Sequence, residues 1–486
     1  MRFLPIILLF CFSSFTVNVF AQNRIQEAIT QLNQDKDLRH ASWGICVIDV
    51  EKNQIVAEHN ADLGLIPASS LKVVTTATAL GVLGENYRFK TSLEYDGELL
   101  SDGTLHGNLY IKGHGDPTLA SQEMEGVTDF NTLMQTFTQA VKKAGIKRIE
   151  GYVIGDASYF ETAAVGRTWI WEDMGNYYGG GAHGLNIHEN LYYMDFRQSA
   201  KLNQAPQFVE TRPKVFDLQV INELQSAGAN SGDNAYIFAA PYTRSPYVRG
   251  TLPIGTSTFT IKGAVPEPAF FAAYHLSETL EKNGIYTGDC VSTQRVFVYE
   301  KKRKRRVIAQ VESPPLKKIV ERANMKSVNL YCESLLKTMG QYKLKKGTTE
   351  AGLEVIKNYW AERGIDTEGW MMKDGSGLSP RNIISTKHLS QIMRKIAKDP
   401  VVFDDFRASL PIAAQSGSLA GMFKGTKAAG NLRAKSGYME GVRSYTGYMK
   451  NASGRLLSFS MIVNNYSGGS GAMRKKMEKI MAKLAE

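Results

Sequence analysis

Residues that could act together on a carbonyl carbon occur in three short segments, the first of which is Ser69-x-x-Lys72. It follows Pro67 and leads into an apolar, Ala- and Thr-rich stretch to about Leu83, which predicts a helix beginning near the serine. Three residues span about one helical turn, so the amine can reach the hydroxyl. A lysine acts as a base only if its pKa falls, as desolvation and a second nearby cation would cause. The segment predicts a serine nucleophile with a lysine base.

The second segment is Ser327-Val328-Asn329. Its serine could relay protons between Lys72 and a leaving group, and its asparagine could donate to an amide of the substrate.

The third segment is Lys435-Ser436-Gly437, at the start of a predicted strand. Lys435 is the natural second cation for the lysine base. The strand could bind a terminal carboxylate while presenting backbone to an extended peptide.

The order of the three segments is more specific than any one of them. Ser-x-x-Lys recurs at Ser334-Leu-Leu-Lys337, inside a helical pattern with no preceding turn, where the serine is expected to be an ordinary hydroxyl on a helix face. Ser-x-Asn after the first segment and Lys-[Ser/Thr]-Gly each occur once. Together they form a strong joint signal.

In these motifs the sequence resembles the penicillin-recognising serine hydrolases. More narrowly, it is similar to the D-alanyl-D-alanine carboxypeptidase/endopeptidase family, the class C low-molecular-mass penicillin-binding proteins of type 4. Further segments carry this second resemblance over nearly the whole chain: Gly113 to Leu119, Gly175 to Gly179, Leu185 to Asn190, Ser313 to Leu316 and Asp374 to Ser379.

The resemblance implies hydrolysis of the D-Ala-D-Ala bond of peptidoglycan stem peptides, and of D-Ala to diamino acid cross-links, through an acyl-enzyme at Ser69. It also implies covalent inhibition by β-lactam antibiotics. The backbone N–H groups of Ser69 and Tyr438 would form the oxyanion hole. The roles carried over are catalytic for Ser69, Lys72, Ser327, Asn329 and Lys435, and substrate-binding for Ser436, Gly437 and Tyr438.

The sequence departs from the family pattern at two positions. Val328 stands where the family usually has Asp, which removes a charge beside the site. Ser436 stands where the family usually has Thr, and it keeps the hydroxyl.

The patterning around these motifs predicts the fold class. Strands are expected at Ser42 to Asp49 and Ile55 to His59, and again at Tyr445 to Lys450 and Leu456 to Val463, with amphipathic helices at both chain ends. This pattern predicts an α/β (α+β) three-layer core with an antiparallel sheet built from both termini, interrupted by a long insertion. The resemblance implies that this core is of the β-lactamase/transpeptidase-like type. The resemblance further implies that residues 22–88 and 290–486 form the catalytic domain and that residues 89–289 form a β-rich insertion of two smaller domains.

Composition and charge limit location and partners. The 486 residues, 43% hydrophobic and 22% charged, are those of a folded chain, with a net charge of +11. Residues 1–21 have the charged, apolar and small-residue layout of a signal peptide, so a soluble periplasmic or otherwise extracytoplasmic protein is expected. An anionic envelope surface is then a better partner than nucleic acid. The basic run from Lys301 to Arg306 is expected at a solvated hairpin tip, with a binding patch as the alternative.

No cofactor and no metal are predicted, since His183 and His188 lack zinc-protease spacing. Three cysteines outside the signal segment, Cys46, Cys290 and Cys332, are expected to be buried apolar residues. Asp374-Gly-Ser-Gly-Leu is expected to be a tight turn that supports the site.

Two other functions stay open on sequence grounds. One is a β-lactamase or D-amino-acid esterase on the same scaffold, which would release a penicillin adduct faster than a peptidase does. The other is a wall-binding protein without catalysis, for which loss of the Ser69 hydroxyl would change nothing.

Overall fold

The computed structural model describes residues 25–297 and 303–486. The predicted signal segment and part of the basic run lie outside the described residues. Contacts divide the chain into a first unit, residues 25–85 with Val320–Ser327 and Val355–Glu486, and a second unit, Asn86–Ile319 with Val328–Glu354. The predicted domain bounds stay a prediction.

The first unit contains a five-stranded antiparallel sheet, here called the central sheet, to which both chain ends contribute. The pairing of Ser42–Asp49 with Leu456–Asn464 joins the two ends, with Ile45 opposite Met461. In spatial order its strands are Gln54–His59, Ser42–Asp49, Leu456–Asn464, Val442–Lys450 and Arg433–Met439.

Helices cover both faces of the central sheet, which explains why its inner strands are apolar on both sides. On one face, helix residues Ile29 and Met477 share a core with Trp43 of the first strand. On the other face Thr386–Ala397 packs, and Ser390 donates to the Cys46 carbonyl at 2.8 Å. The predicted three-layer α/β fold is therefore confirmed. Helices with residues in this unit are 25–33, Lys72–Leu83, Leu316–Lys326, Thr349–Ala361, Thr386–Ala397, Phe403–Ser409 and Ser470–Lys483.

The second unit is rich in strands, as predicted. Its largest sheet, here called the second sheet, orders its strands Val291–Thr293, Val153–Asp156, Leu109–Gly113, Lys90–Tyr95 and Arg306–Glu312. Phe130–Lys143 and Pro268–Lys282 pack together and share its apolar core. Helices Trp171–Met174 and Asn329–Leu344 also belong here. Smaller sheets comprise Gln207–Arg212, Leu191–Arg197 and Thr258–Ala264; Ile221–Asn222, Tyr247–Pro253, Gln225–Ala227 and Asn234–Phe238; and Glu98–Leu99, Thr104–His106 and Arg148–Ile149.

Two local expectations need correction. Cys46 and Cys332 are buried, but Cys290 is only half-buried, because it closes a turn just before an edge strand of the second sheet. In the basic run Arg303 is exposed, whereas Arg305 turns inward and donates to Asp156 at 2.6 Å. Among the described helices, none has the length and apolar character needed to cross a bilayer.

Candidate active site

Ser69 lies in a single 3₁₀ turn, Ala68–Leu71, that leads directly into the helix Lys72–Leu83. Ala68 has a φ of 46°, in the left-handed region where a side chain is strained. The other three residues of the turn, Ala68, Ser70 and Leu71, are buried, while Ser69 is partly exposed. The strained turn therefore presents one hydroxyl to solvent from an otherwise buried segment.

Lys72 is fully buried, with 0% of its surface exposed. Its Nζ donates to Ser69 Oγ at 3.0 Å and to the Ser376 carbonyl at 2.7 Å. These two bonds hold the amine against the hydroxyl, as the one-turn spacing predicts.

The Ser376 carbonyl is presented by a turn built around the buried carboxylate of Asp374. That carboxylate accepts from the backbone N–H groups of Gly377 at 2.8 Å and Ser379 at 2.6 Å. Gly377 has a φ of 80°, and a Cβ there would lie 2.0 Å from the Ala68 carbonyl oxygen. The Gly-rich segment thus supports the site as expected, and its backbone contact with Lys72 is a part of the site that sequence reasoning missed.

A second lysine–serine pair is formed by Lys435 and Ser327. Lys435 is 1% exposed, and its Nζ donates to Ser327 Oγ at 2.9 Å and to the Ser436 carbonyl at 2.7 Å. Ser327 has a φ of 62° and, like Ser69, is partly exposed. Ser436 donates its hydroxyl to Ser418 Oγ at 2.7 Å, a partner that no sequence motif indicated.

The strand Arg433–Met439 brings these groups next to the Ser69 turn. A Cβ built on Gly437 would lie 2.6 Å from the Pro67 carbonyl oxygen and 2.9 Å from the Ser69 nitrogen. Ser444, opposite Gly437 on the neighbouring strand, donates its hydroxyl to the same Pro67 carbonyl. The next residue, Tyr438, is 59% exposed. Only glycine permits this approach of strand and turn.

Asn329 begins the helix Asn329–Leu344 of the second unit. It is 8% exposed, and its Nδ2 donates to the Tyr178 carbonyl at 3.0 Å. This contact orients the side-chain amide, and its partner lies in the Gly175 to Gly179 segment quoted above.

The second Ser-x-x-Lys copy is buried within the same helix. Lys337 Nζ donates to the Ala163 carbonyl at 2.7 Å and lies 3.4 Å from Glu161. Burial lowers the pKa of Lys337, although Glu161 and Glu333 oppose the shift. Ser334 is buried as well and lies 3.5 Å from the Asn186 amide nitrogen. The second Ser-x-x-Lys copy therefore contributes to packing.

Within the described residues, no cluster of His, Cys, Asp or Glu could hold a metal.

Comparison with known proteins places the chain in a family. The model of the D-Ala-D-Ala carboxypeptidase 3 (S13) family matches residues 25–486. The chain is 26% identical over 461 residues to D-alanyl-D-alanine carboxypeptidase DacB of Haemophilus influenzae, covering 94% of this chain and 91% of the relative. It is 27% identical over 474 residues to D-alanyl-D-alanine carboxypeptidase of Actinomadura sp. strain R39, covering 95% and 84%.

The fold agrees with these relatives. The crystal structure of penicillin binding protein 4 (dacB) from Haemophilus influenzae superposes with a TM-score of 0.77 at 26% identity, covering 94% of this chain and 98% of the other. The resemblance predicted from the motifs is thereby confirmed. With its serine–lysine pairs on a fold of this type, the chain belongs to the D-Ala-D-Ala carboxypeptidase 3 (S13) family of serine peptidases.

Proposed function

We propose that this D-Ala-D-Ala carboxypeptidase is an exported DD-peptidase that works through an acyl-enzyme at Ser69. It would cleave the terminal D-Ala-D-Ala bond of peptidoglycan stem peptides and the D-Ala to diamino acid cross-link. The observation that supports the assignment most directly is the contact of Lys72 Nζ with Ser69 Oγ at 3.0 Å. A nucleophile within hydrogen-bond reach of its base is the arrangement that acyl transfer requires.

In the acylation step Lys72 accepts the Ser69 proton as Oγ attacks the carbonyl of the penultimate D-Ala. Full burial of Lys72 supports this role, since burial disfavours the charged form of an amine. The N–H groups of Ser69 and Tyr438 would stabilise the oxyanion, worth roughly 10²–10³ in rate for each donor. The close approach of Gly437 to the Ser69 nitrogen supports a paired arrangement of these donors.

The C–N bond then breaks, and the departing D-Ala amine takes up a proton. Ser327, held by Lys435 at 2.9 Å, is suited to pass that proton on from Lys72. Lys435 and Ser436 would bind the terminal carboxylate of the substrate, and Asn329 its amide. Water then attacks the ester, with Lys72 again taking the proton, and this step regenerates Ser69 and releases the shortened peptide.

Substrate and location are inferred from the family and the sequence. Relatives are named for D-alanyl-D-alanine carboxypeptidase activity, and the structural neighbour is named for penicillin binding. Both names fit the proposed acyl-enzyme at Ser69. The composition of residues 1–21 supports export to the periplasm, and the net charge of +11 suits an anionic envelope surface.

Labelling with a fluorescent penicillin, followed by mass spectrometry of the adduct, tests the proposal. We expect a single adduct on Ser69, lost in Ser69→Ala and retained in Ser334→Ala, the matched variant in the second Ser-x-x-Lys copy. An adduct elsewhere, or none on folded protein, would refute the assignment. Adduct release within seconds would favour the β-lactamase alternative. Unchanged D-Ala release by Ser69→Ala would also contradict the peptidase.

The cross-linked substrate needs a separate assay. Incubation with intact sacculi should convert dimeric muropeptides to monomers, and Ser69→Ala should not. Release of D-Ala without loss of dimers would restrict the activity to carboxypeptidase.

A further inference from the structure

The second unit contains a cavity of about 650 Å³, and none of the described residues that line it belongs to the candidate active site. This volume is within the range of small-molecule pockets, roughly 300–1,000 Å³. Its walls include side chains on one face of the second sheet and the loop that follows Val153–Asp156: Glu94, Tyr110, Lys112, Asp156, Ser158 and Thr162. No step of the proposed reaction uses it.

Arg305 organises the wall formed by the second sheet. Its guanidinium donates to Asp156 at 2.6 Å and to Gln294 at 2.7 Å, and lies 3.6 Å from the centre of the Tyr110 ring. Asp156 is 1% exposed. Its burial raises its pKa, but the charge of Lys112 and the hydrogen bonds from Ser158 and Arg305 outweigh this effect, and the pKa is lowered. The wall therefore carries fixed, ionised groups that are already paired with one another.

A second cluster contributes to the lining. Arg295 donates to Glu267 at 3.3 Å and lies 4.2 Å from the centre of the Tyr242 ring. Tyr242 has a φ of 67° and donates its hydroxyl to the Thr162 carbonyl at 2.7 Å. A bulky residue in the left-handed region is strained, and such strain concentrates at ligand clamps. This part of the lining is thus held by contacts among its own residues.

The charges decide which ligand fits. Among the described lining residues, five carboxylates lie beside three guanidinium groups and one lysine, so their charges nearly balance. A polyanion would meet five of these carboxylates against four cations, and an extended peptide that adds a strand does so at a sheet edge rather than on the face of a sheet. Hydroxyl groups both donate and accept, so they can satisfy alternating carboxylates and cations from any side. These features favour a neutral, polyhydroxylated molecule larger than a single amino acid.

We propose that this cavity binds a neutral saccharide of at least disaccharide size, the glycan of peptidoglycan. The choice of glycan rests on the proposed function, because stem peptides are attached to glycan strands. The site would hold the polymer while its peptides enter the active site, and so lower KM for polymeric substrate alone.

Calorimetric titration of the full chain with chitotetraose, an oligomer of N-acetylglucosamine, tests the site. Ser158→Trp places a large ring at an exposed position on the cavity wall and should weaken binding at least tenfold. Ser231→Trp, at an exposed serine of the same unit that does not line the cavity, should stay within twofold. Ser69→Ala should bind chitotetraose as the unaltered chain does. Saccharide binding is therefore tested independently of the proposed reaction at Ser69.

Activity provides the second readout. Ser158→Trp should raise KM for soluble glycan-linked peptidoglycan several-fold with kcat unchanged, and leave kcat/KM for a short D-Ala-D-Ala peptide unaltered. If Ser158→Trp does not fold, Lys112→Met, at another position that lines the cavity, is tested by the same titration and kinetic measurements with the same expected result. Absence of chitotetraose binding at millimolar concentration, equal binding by the cavity variant, or displacement by the short peptide would each overturn the proposal.

Discussion

Gly437→Ala tests the geometry of the candidate site with a single methyl group. The new Cβ would lie 2.2 Å from Ser444 Oγ, 2.6 Å from the Pro67 carbonyl oxygen and 2.9 Å from the Ser69 nitrogen. Contacts below 3.0 Å are not tolerated, so the strand must move away from the Ser69 turn by at least about 0.4 Å to clear the Pro67 oxygen. Because the Ser444 hydroxyl donates a hydrogen bond to the Pro67 carbonyl, a shift of either group away from the new Cβ would disturb the other.

This movement would separate the two backbone donors proposed for the oxyanion. Loss of one such donor costs roughly 10²–10³ in rate, or about 2.7–4 kcal/mol. We expect acylation by a fluorescent penicillin, measured by stopped flow, to slow by that factor while the protein stays folded. Gly421→Ala, where nothing lies within 4 Å, is the matched control and should acylate normally. Acylation of Gly437→Ala within threefold of the unaltered rate would refute the reasoning.

Three further predictions concern other groups. Lys72→Met should slow penicillin acylation by roughly 10²–10⁴, the usual contribution of a general base, and a normal rate would exclude Lys72 as the base. Ser436→Ala should reduce hydrolysis of a peptide with a free C-terminal carboxylate by about tenfold, the value of one charge-assisted hydrogen bond, with recovery in Ser436→Thr and no effect on the amidated peptide. Burial raises the pKa of Asp116 from its ordinary 3.8 to about 6, against the opposing bonds from Thr118. The folded state thus holds the proton of the Asp116 carboxyl more tightly than the unfolded state does. The stability that the protonated Asp116 contributes is complete below pH 3.8 and is lost as the pH rises through 6. Denaturant unfolding from pH 4 to 8 should show this loss, about 3 kcal/mol, as a difference between the unaltered chain and Asp116→Asn; parallel profiles would contradict it.

The fold was predictable where periodicity and chain position are informative. Continuous apolar runs such as Ser42–Asp49 mark strands covered on both faces, and the helical stripes at both ends mark the layers that cover them. Loop and edge positions were less predictable. Cys290 is half-buried and Arg305 points inward, because burial there depends on neighbours distant in the sequence.

Within the candidate site, the sequence by itself determined the contact between Ser69 and Lys72. The three-residue spacing gives the amine its reach through the 3₁₀ turn and the start of the helix, which is local geometry. The order of the three motifs, and the single occurrence of the second and third, also identified Ser327 and Lys435 as site residues. They did not predict the hydrogen bond between the two side chains.

Tertiary structure alone decided the contacts between distant segments. The Ser376 carbonyl reaches Lys72 from more than 300 residues away, and Gly437 lies against the Ser69 turn because two paired strands and the Pro67 carbonyl hold it there. It also decided that one Ser-x-x-Lys presents a hydroxyl while the other, at Ser334, is buried. Identical spacing gives identical reach along a helix, but solvent access depends on what the rest of the chain packs against it.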